Sequence, residues 1–189
     1  MSEKTWALVF SVLFLCALPV FAFTHAAANI DSTAVGDEAP SFVLRALDST
    51  TVFLRDYCGT LRKPWINKIQ YPVILSFFAT WCEPCRKEMQ ILQHYVLSDV
   101  HKPLKLFFIN VGEQEQKVRQ YIRLQAITAP VLLDEFMTTA QRYGVMNSKN
   151  VLQLPTMVFI NREGKIRYWH RGFTNEEFQI NALQEFATE

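Results

Sequence analysis

Apolar residues in this chain fall into short dense runs separated by amphipathic stretches, and the two patterns alternate along its length. Residues 72–79 (PVILSFFA) are too continuously apolar for a half-exposed strand and predict one buried on both faces, and residues 104–111 (LKLFFINV) read as a second buried strand. Residues 129–134 (APVLLD), 156–161 (TMVFIN) and 165–171 (KIRYWHR) read as further strands, the last two joined by a tight turn at Arg162-Glu163-Gly164. Between the runs the period lengthens. Met89, Leu92 and Val96 give a helix over about 83–98, and Val118, Tyr121 and Ile122 mark another over about 114–125. A short helix runs through Phe136 to Tyr143 and stops at Gly144. Thr174 with Glu177 three positions on forms a capping box for a closing helix that carries Phe178, Ala182 and Phe186 on one stripe. Upstream, residues 41–44 and 51–54 flank Asp48-Ser49-Thr50 and read as a hairpin. Residues 55–71 hold Cys58, Gly59, Pro64 and Trp65 without clean periodicity, so they read as an irregular insertion.

This alternation predicts an α/β domain with a mixed central sheet flanked by helices. One domain over 29–189 is expected, with no internal repeat, low-complexity segment or second boundary. The first thirty residues follow a different rule. From Thr5 to Ile30 no Asp, Glu, Lys or Arg occurs, and residues 6–23 are almost unbroken in apolarity before the small residues Ala26, Ala27 and Ala28. Residues 1–28 therefore read as a secretory signal, although Glu3 offsets Lys4 in the n-region. The apolar stretch also approaches the roughly 20 residues that span a bilayer, so retention as an N-terminal membrane anchor is the alternative. Both readings put the domain in the periplasm or elsewhere outside the cytoplasm. Cys16 follows Leu15, where a lipidation signal wants a small residue, and reads as an incidental apolar position.

Composition narrows the function. Half of the 189 residues are hydrophobic and 13% aromatic, which excludes a disordered or collagen-like chain. Nineteen Lys and Arg against 18 Asp and Glu, with no basic run, exclude an electrostatic nucleic-acid binder. Four cysteines are too few for a disulfide scaffold in a chain of this length, so their spacing carries the information.

Trp81-Cys82-Glu83-Pro84-Cys85 sits where the strand at 72–79 meets its helix. Free amides and the helix dipole stabilise an anion there, lowering a thiol pKa from about 8.5 toward about 3.5–7.5. Cys82, the first and more exposed cysteine, is the expected nucleophile. Cys85, one turn further in, is near enough to close a disulfide with it. Pro84 needs no amide partner in the first turn and stiffens it. One cysteine pair cannot close a four-ligand zinc site, and Arg86 in place of His argues against haem attachment. Glu83 places negative charge beside Cys82, which opposes thiolate formation and points to reducing rather than strongly oxidising behaviour. Leu154-Pro155-Thr156 precedes a strand, and Pro155 reads either as a strand-entry residue or as a cis-proline holding substrate backbone beside the dithiol.

FFATWCEPCRKEM, LPTMVFINREGKI and the leader VGDEAPSFVL together resemble the exported thioredoxin-like proteins of the TlpA/ResA type, over roughly residues 35–189. The resemblance implies a thioredoxin-like fold with an N-terminal β-hairpin extension, a cis bond at Leu154–Pro155, and an extracytoplasmic thiol–disulfide oxidoreductase that usually acts as a reductant. It assigns Glu88 a role in substrate contact and thiol titration, against the plain reading of Glu88 as a solvated helix face. Two departures stand out. Ser76 occupies the position where cytoplasmic thioredoxins carry a buried acid, so proton relay must come from elsewhere. Residues 55–71 and 146–153 also look inserted. Cys58 reads as a buried apolar thiol or a third redox thiol, and His94, His101 and His170 are scattered, with His170 read as structural.

The expected chemistry is attack by Cys82 on a disulfide of an exported protein, resolved by Cys85, with a membrane thiol donor restoring the dithiol. No GxGxxG motif occurs, and no cofactor or metal beyond the Cys82–Cys85 redox disulfide is expected. A thiol peroxidase would share the fold and leader, but Leu75 and Ala79 fill the Pro and Thr positions of its motif. A copper-binding thioredoxin-like chaperone could use the two soft thiolates, though it would want wider spacing and a histidine. A structural adaptor would keep its function without either cysteine.

Overall fold

The computed structural model describes residues 34–98 and 104–187, so the predicted signal or anchor at 1–28 lies outside the described residues, as does His101. Three strands form the parallel heart of the sheet: β3 (Val73–Phe78), β4 (Lys105–Val111) and β5 (Val131–Asp134). A hairpin of β1 (Val43–Ala46) and β2 (Thr51–Phe53) joins the β5 edge antiparallel. β6 (Thr156–Ile160) and β7 (Ile166–Arg171) extend the β3 edge, also antiparallel. The order is β2-β1-β5-β4-β3-β6-β7, a mixed sheet with the expected hairpin extension. Every residue of β3 and β6 is buried, which explains their continuous apolarity: both faces of the sheet are covered.

Strand alternation divides the core between those faces. Ile74 and Phe78 of β3, with Phe108 and Phe159, pack beneath Met89 and Leu92 of α1 (Glu83–Leu97), Val118 of α2 (Glu115–Leu124) and Leu183 of α4 (Glu176–Ala187). Leu75 and Phe77 point the other way, into a core with Phe42, Leu54, Cys58 and Val158, closed by Ala140 of α3 (Thr138–Arg142) and by Tyr143.

Three expectations shift. The first hairpin strand lies at Val43–Ala46, two residues beyond the predicted start, because its pairing with β2 begins at Val43 opposite Phe53. The closing helix is capped by Asn175, whose Oδ1 accepts from Phe178 N at 2.8 Å, and not by Thr174. Its buried stripe is accordingly Gln179, Leu183 and Phe186, while Phe178 stays 39% exposed. The insertion is irregular as expected, yet it is tied down. After a 3₁₀ turn at Leu54–Asp56, Arg62 Nε and Nη2 donate to the Asp56 carboxylate at 3.0 and 3.1 Å. Within 146–153, Asn147 Oδ1 accepts from Lys149 N and Val151 N, both at 3.0 Å, closing a compact turn before the proline.

Candidate active site

β3 delivers the chain to the site, and α1 begins there. Cys82 is the N-cap of α1, in extended conformation, and its Sγ accepts a hydrogen bond from Cys85 N at 3.3 Å. A sulfur therefore occupies the position usually held by a Ser or Asp oxygen, where an unpaired helix amide points and an anion is stabilised. Cys82 and Cys85 are joined as a disulfide, with Cα atoms 5.3 Å apart. Cys82 is the more exposed, as expected, but only just: 4% against 0% for Cys85. Pro84, second in the helix, has no amide N–H of its own to satisfy there. The negative charge expected to oppose a Cys82 thiolate is offset, because the Glu83 carboxylate is ion-paired with Arg86 one turn on.

Glu88 is not on a solvated helix face. It is 1% exposed and points inward, where Ser76 Oγ donates to its Oε1 at 2.7 Å and Gln179 Nε2 approaches Oε2 at 3.5 Å. Burial pushes the carboxyl up to about 7, against the lowering effect of the Ser76 bond. Burial, and secondarily the Glu88 charge, also push the Tyr168 phenol up to about 12. The acid missing from position 76 is thus supplied from α1, with Ser76 as its hydrogen-bond partner. Buried as it is in this disulfide form, Glu88 offers a substrate no surface.

The Leu154–Pro155 bond is cis. Leu154 and Pro155 face the start of α1 across a groove of about 280 Å³ lined also by Glu83, Pro84, Lys87 and Phe173. Trp81 stands beside it, 62% exposed. Six of the residues singled out in the sequence, Cys82, Cys85, Glu83, Pro84, Leu154 and Pro155, therefore gather at or immediately beneath one surface. Trp81, next in sequence to Cys82, is exposed, and Glu88, one turn after Cys85 on α1, is buried.

Sequence reasoning missed Glu113. Its carboxylate accepts from Thr80 N and Thr80 Oγ1, both at 2.7 Å, and from Asn110 Nδ2 at 2.8 Å, while Lys117 Nζ lies 2.7 Å away. Burial opposes ionisation, but these donors hold Glu113 below the usual carboxylate range. The anion thereby tethers the loop that precedes Trp81 and Cys82. No local pattern signals this, because Thr80 and Glu113 meet only through the β3–β4 pairing. Cys58 is fully buried, and burial pushes its thiol up to about 12, so it behaves as an apolar side chain rather than a third redox thiol. His170 lies against Phe178 and Tyr168, with ring centroids 5.2 and 6.1 Å away, in keeping with a structural role.

Comparison with known proteins agrees with this geometry. A family model described as AhpC/TSA family matches residues 35–169. The chain is 30% identical over 155 residues to the thiol-disulfide oxidoreductase ResA of Bacillus subtilis, covering 82% of this chain and 77% of that protein. It is 28% identical to the ResA of Geobacillus thermodenitrificans, over 84% of this chain and 82% of that one. Among solved structures, a thioredoxin-family thiol:disulfide interchange protein from Chlorobium tepidum superposes with a TM-score of 0.60 at 22% identity, covering 82% of this chain and 99% of that one. StoA from Bacillus subtilis superposes with a TM-score of 0.57 at 23% identity, covering 80% and 98%. The two structures carry the thioredoxin-like fold, and the sequence relatives carry the chemistry of the paired cysteines. The chain belongs to the AhpC/TSA family, within which it is a ResA-type thiol–disulfide oxidoreductase.

Proposed function

We propose that this oxidoreductase reduces disulfides of exported proteins, with Cys82 as the attacking thiol and Cys85 as the resolving one. The observation that carries this reading is the Cys82 sulfur at the N-cap of α1, accepting from Cys85 N, with a buried carboxyl one turn behind Cys85. In the reduced protein the Cys82 thiolate attacks one sulfur of a client disulfide. A Cys82–client bond forms, the client S–S bond breaks, and the leaving client thiolate takes up a proton. Cys85 then passes its proton to Glu88 and attacks Cys82 Sγ. The mixed disulfide breaks, the second client sulfur leaves as a thiolate and takes up the proton released through Glu88, and the Cys82–Cys85 bond is the oxidised product. A membrane thiol donor returns two electrons and two protons to restore the dithiol.

Substrate backbone would lie along Leu154 and Pro155, and the exposed rings of Trp81 and Phe136, both at the end of the sheet where β3, β4 and β5 finish, suit an extended, partly apolar client. An apocytochrome whose haem-attaching cysteines must stay reduced fits that description, and cytochrome c maturation is the role we favour. This reading places the domain outside the cytoplasm, exported by a cleaved signal or a retained anchor at residues 1–28. Substituting Cys85→Ser should freeze clients on Cys82 as mixed disulfides. Mass spectrometry of the trapped species should identify exported proteins, and the absence of any adduct would remove the assignment.

The AhpC/TSA match favours one second reading, a thiol peroxidase. Leu75 and Ala79 are buried apolar side chains and offer no hydroxyl to a peroxide. Stoichiometric consumption of hydrogen peroxide by the reduced protein would reverse that judgement.

A further inference from the structure

The insertion at 59–71 has its polarity reversed. Three of its polar side chains are tied to the body: Arg62 binds the Asp56 carboxylate, Asn67 Nδ2 donates to Asp56 O at 2.7 Å, and Gln70 Nε2 donates to Gly59 O at 2.7 Å. Its large apolar side chains face outward, with Trp65 59%, Ile66 65% and Ile69 60% exposed. A loop held by its own polar groups while presenting three large apolar ones is built to meet another surface.

Its position restricts what that surface is. β3 runs toward Cys82 and β6 runs away from it, so the β6–β7 turn lies at the end of the sheet opposite the dithiol. The insertion starts there, with Gly59 N donating to Arg162 O at 2.8 Å, and returns there at Pro72, whose O accepts from Lys105 N at 3.0 Å. The first described residues occupy the same end, with Gly36 N donating to Ile166 O at 2.7 Å and Ala39 N to Gly164 O at 2.8 Å. Only residues 24–33 separate this end from the apolar stretch at 6–23, a reach of at most about 35 Å.

Two lysines flank the apolar tip. Lys63 Nζ lies 5.3 Å from the Trp65 ring centroid, and neither Lys63 nor Lys68 has a carboxylate partner among the described residues. An interfacial Trp with aliphatic neighbours and unpaired lysines matches a bilayer surface carrying anionic headgroups.

We infer that residues 63–69 dock on an anionic lipid bilayer, orienting the domain so that the Cys82–Cys85 groove faces away from the membrane. The inference rests on the proposed export for a membrane to be present, and on nothing in the dithiol chemistry. The loop adds a second contact to whatever residues 6–23 provide.

The test uses full-length protein on phosphatidylcholine vesicles with brominated acyl chains, with and without phosphatidylglycerol. The difference in emission between the wild type and Trp65→Phe isolates Trp65 from Trp6, Trp81 and Trp169. The Trp65 signal should be quenched when phosphatidylglycerol is present, and Lys63→Gln and Lys68→Gln should each lower the ratio of lipid-contacting to free Trp65 by about fivefold. An unquenched Trp65 on protein that still floats with the vesicles would overturn the inference. So would equal quenching without phosphatidylglycerol, or quenching only after a second membrane protein is added. Reduction of insulin disulfides by the same samples reports the dithiol separately, so failure of the redox reading and failure of the docking surface are told apart.

Discussion

At Glu88, burial and a hydrogen bond act on one carboxyl in opposite directions. Burial raises its pKa to about 7 and the Ser76 hydroxyl partly offsets it. Because the folded value lies above the ordinary 4.5, the folded state binds the proton more tightly than the unfolded chain between those pH values. The associated stability is present below about pH 4.5 and is lost as pH rises through about 7, a change of up to about 3 kcal/mol. Glu88→Gln should flatten this part of the curve, so that urea unfolding of the oxidised variant is nearly independent of pH from about 4.5 to 8. In the reduced variant the pH profile of cysteine alkylation should lose its inflection near 7, which a purely structural residue would leave in place. The cysteines were legible in the sequence because their chemistry is written in local spacing, whereas Pro155 was left between strand entry and a cis bond until the fold set it across from α1. Glu88 was only half legible: its distance from Cys85 places it near the cysteine's helix face but does not say what covers that face.

Among the elements, the closing helix separates pattern from packing. Thr174 with Glu177 matches a capping box, and Asn175 is an equally good cap one residue later. The choice falls to Asn175 because Gln179, Leu183 and Phe186 must turn toward the core, and the start of the helix follows from that rotation. Asn175→Ala should cost about 1 kcal/mol in chemical denaturation, whereas Thr174→Ala should fall within about 0.5 kcal/mol of wild type. Equal losses at the two positions would mean the cap is shared. Strands β3 and β4 needed no such arbitration, since a mostly apolar run the length of a strand fits a strand buried on both faces.

Across the whole molecule, the hairpin extension is part of the core. Phe42 is buried against Tyr143, with ring centroids 6.5 Å apart, and Tyr143 OH donates to Pro40 O at 2.8 Å. Both rings belong to the cluster that contains Leu75 and Phe77 of the central strand. Phe42→Ala should therefore destabilise the entire domain by about 3–5 kcal/mol, and fluorescence and circular dichroism should still report one coincident transition. A separate early transition would mean the hairpin folds as an appendage. The same scale sets the polarity of the molecule, with the redox groove at one end of the sheet and the insertion at the other, an arrangement invisible until the strand directions are known.

The sequence by itself determined the α/β class, the strand that ends in a CxxC and the helix that follows it. Each of these depends on chemistry or periodicity within a few neighbouring residues. The tertiary structure alone decided that Glu88 is buried against Ser76, that Glu113 binds the loop at Thr80, that Asn175 caps the last helix and that Trp65 lies opposite Cys82. These depend on which surfaces cover one another. Desolvation and long-range hydrogen bonds act through space, between residues whose separation along the chain says nothing about their contact.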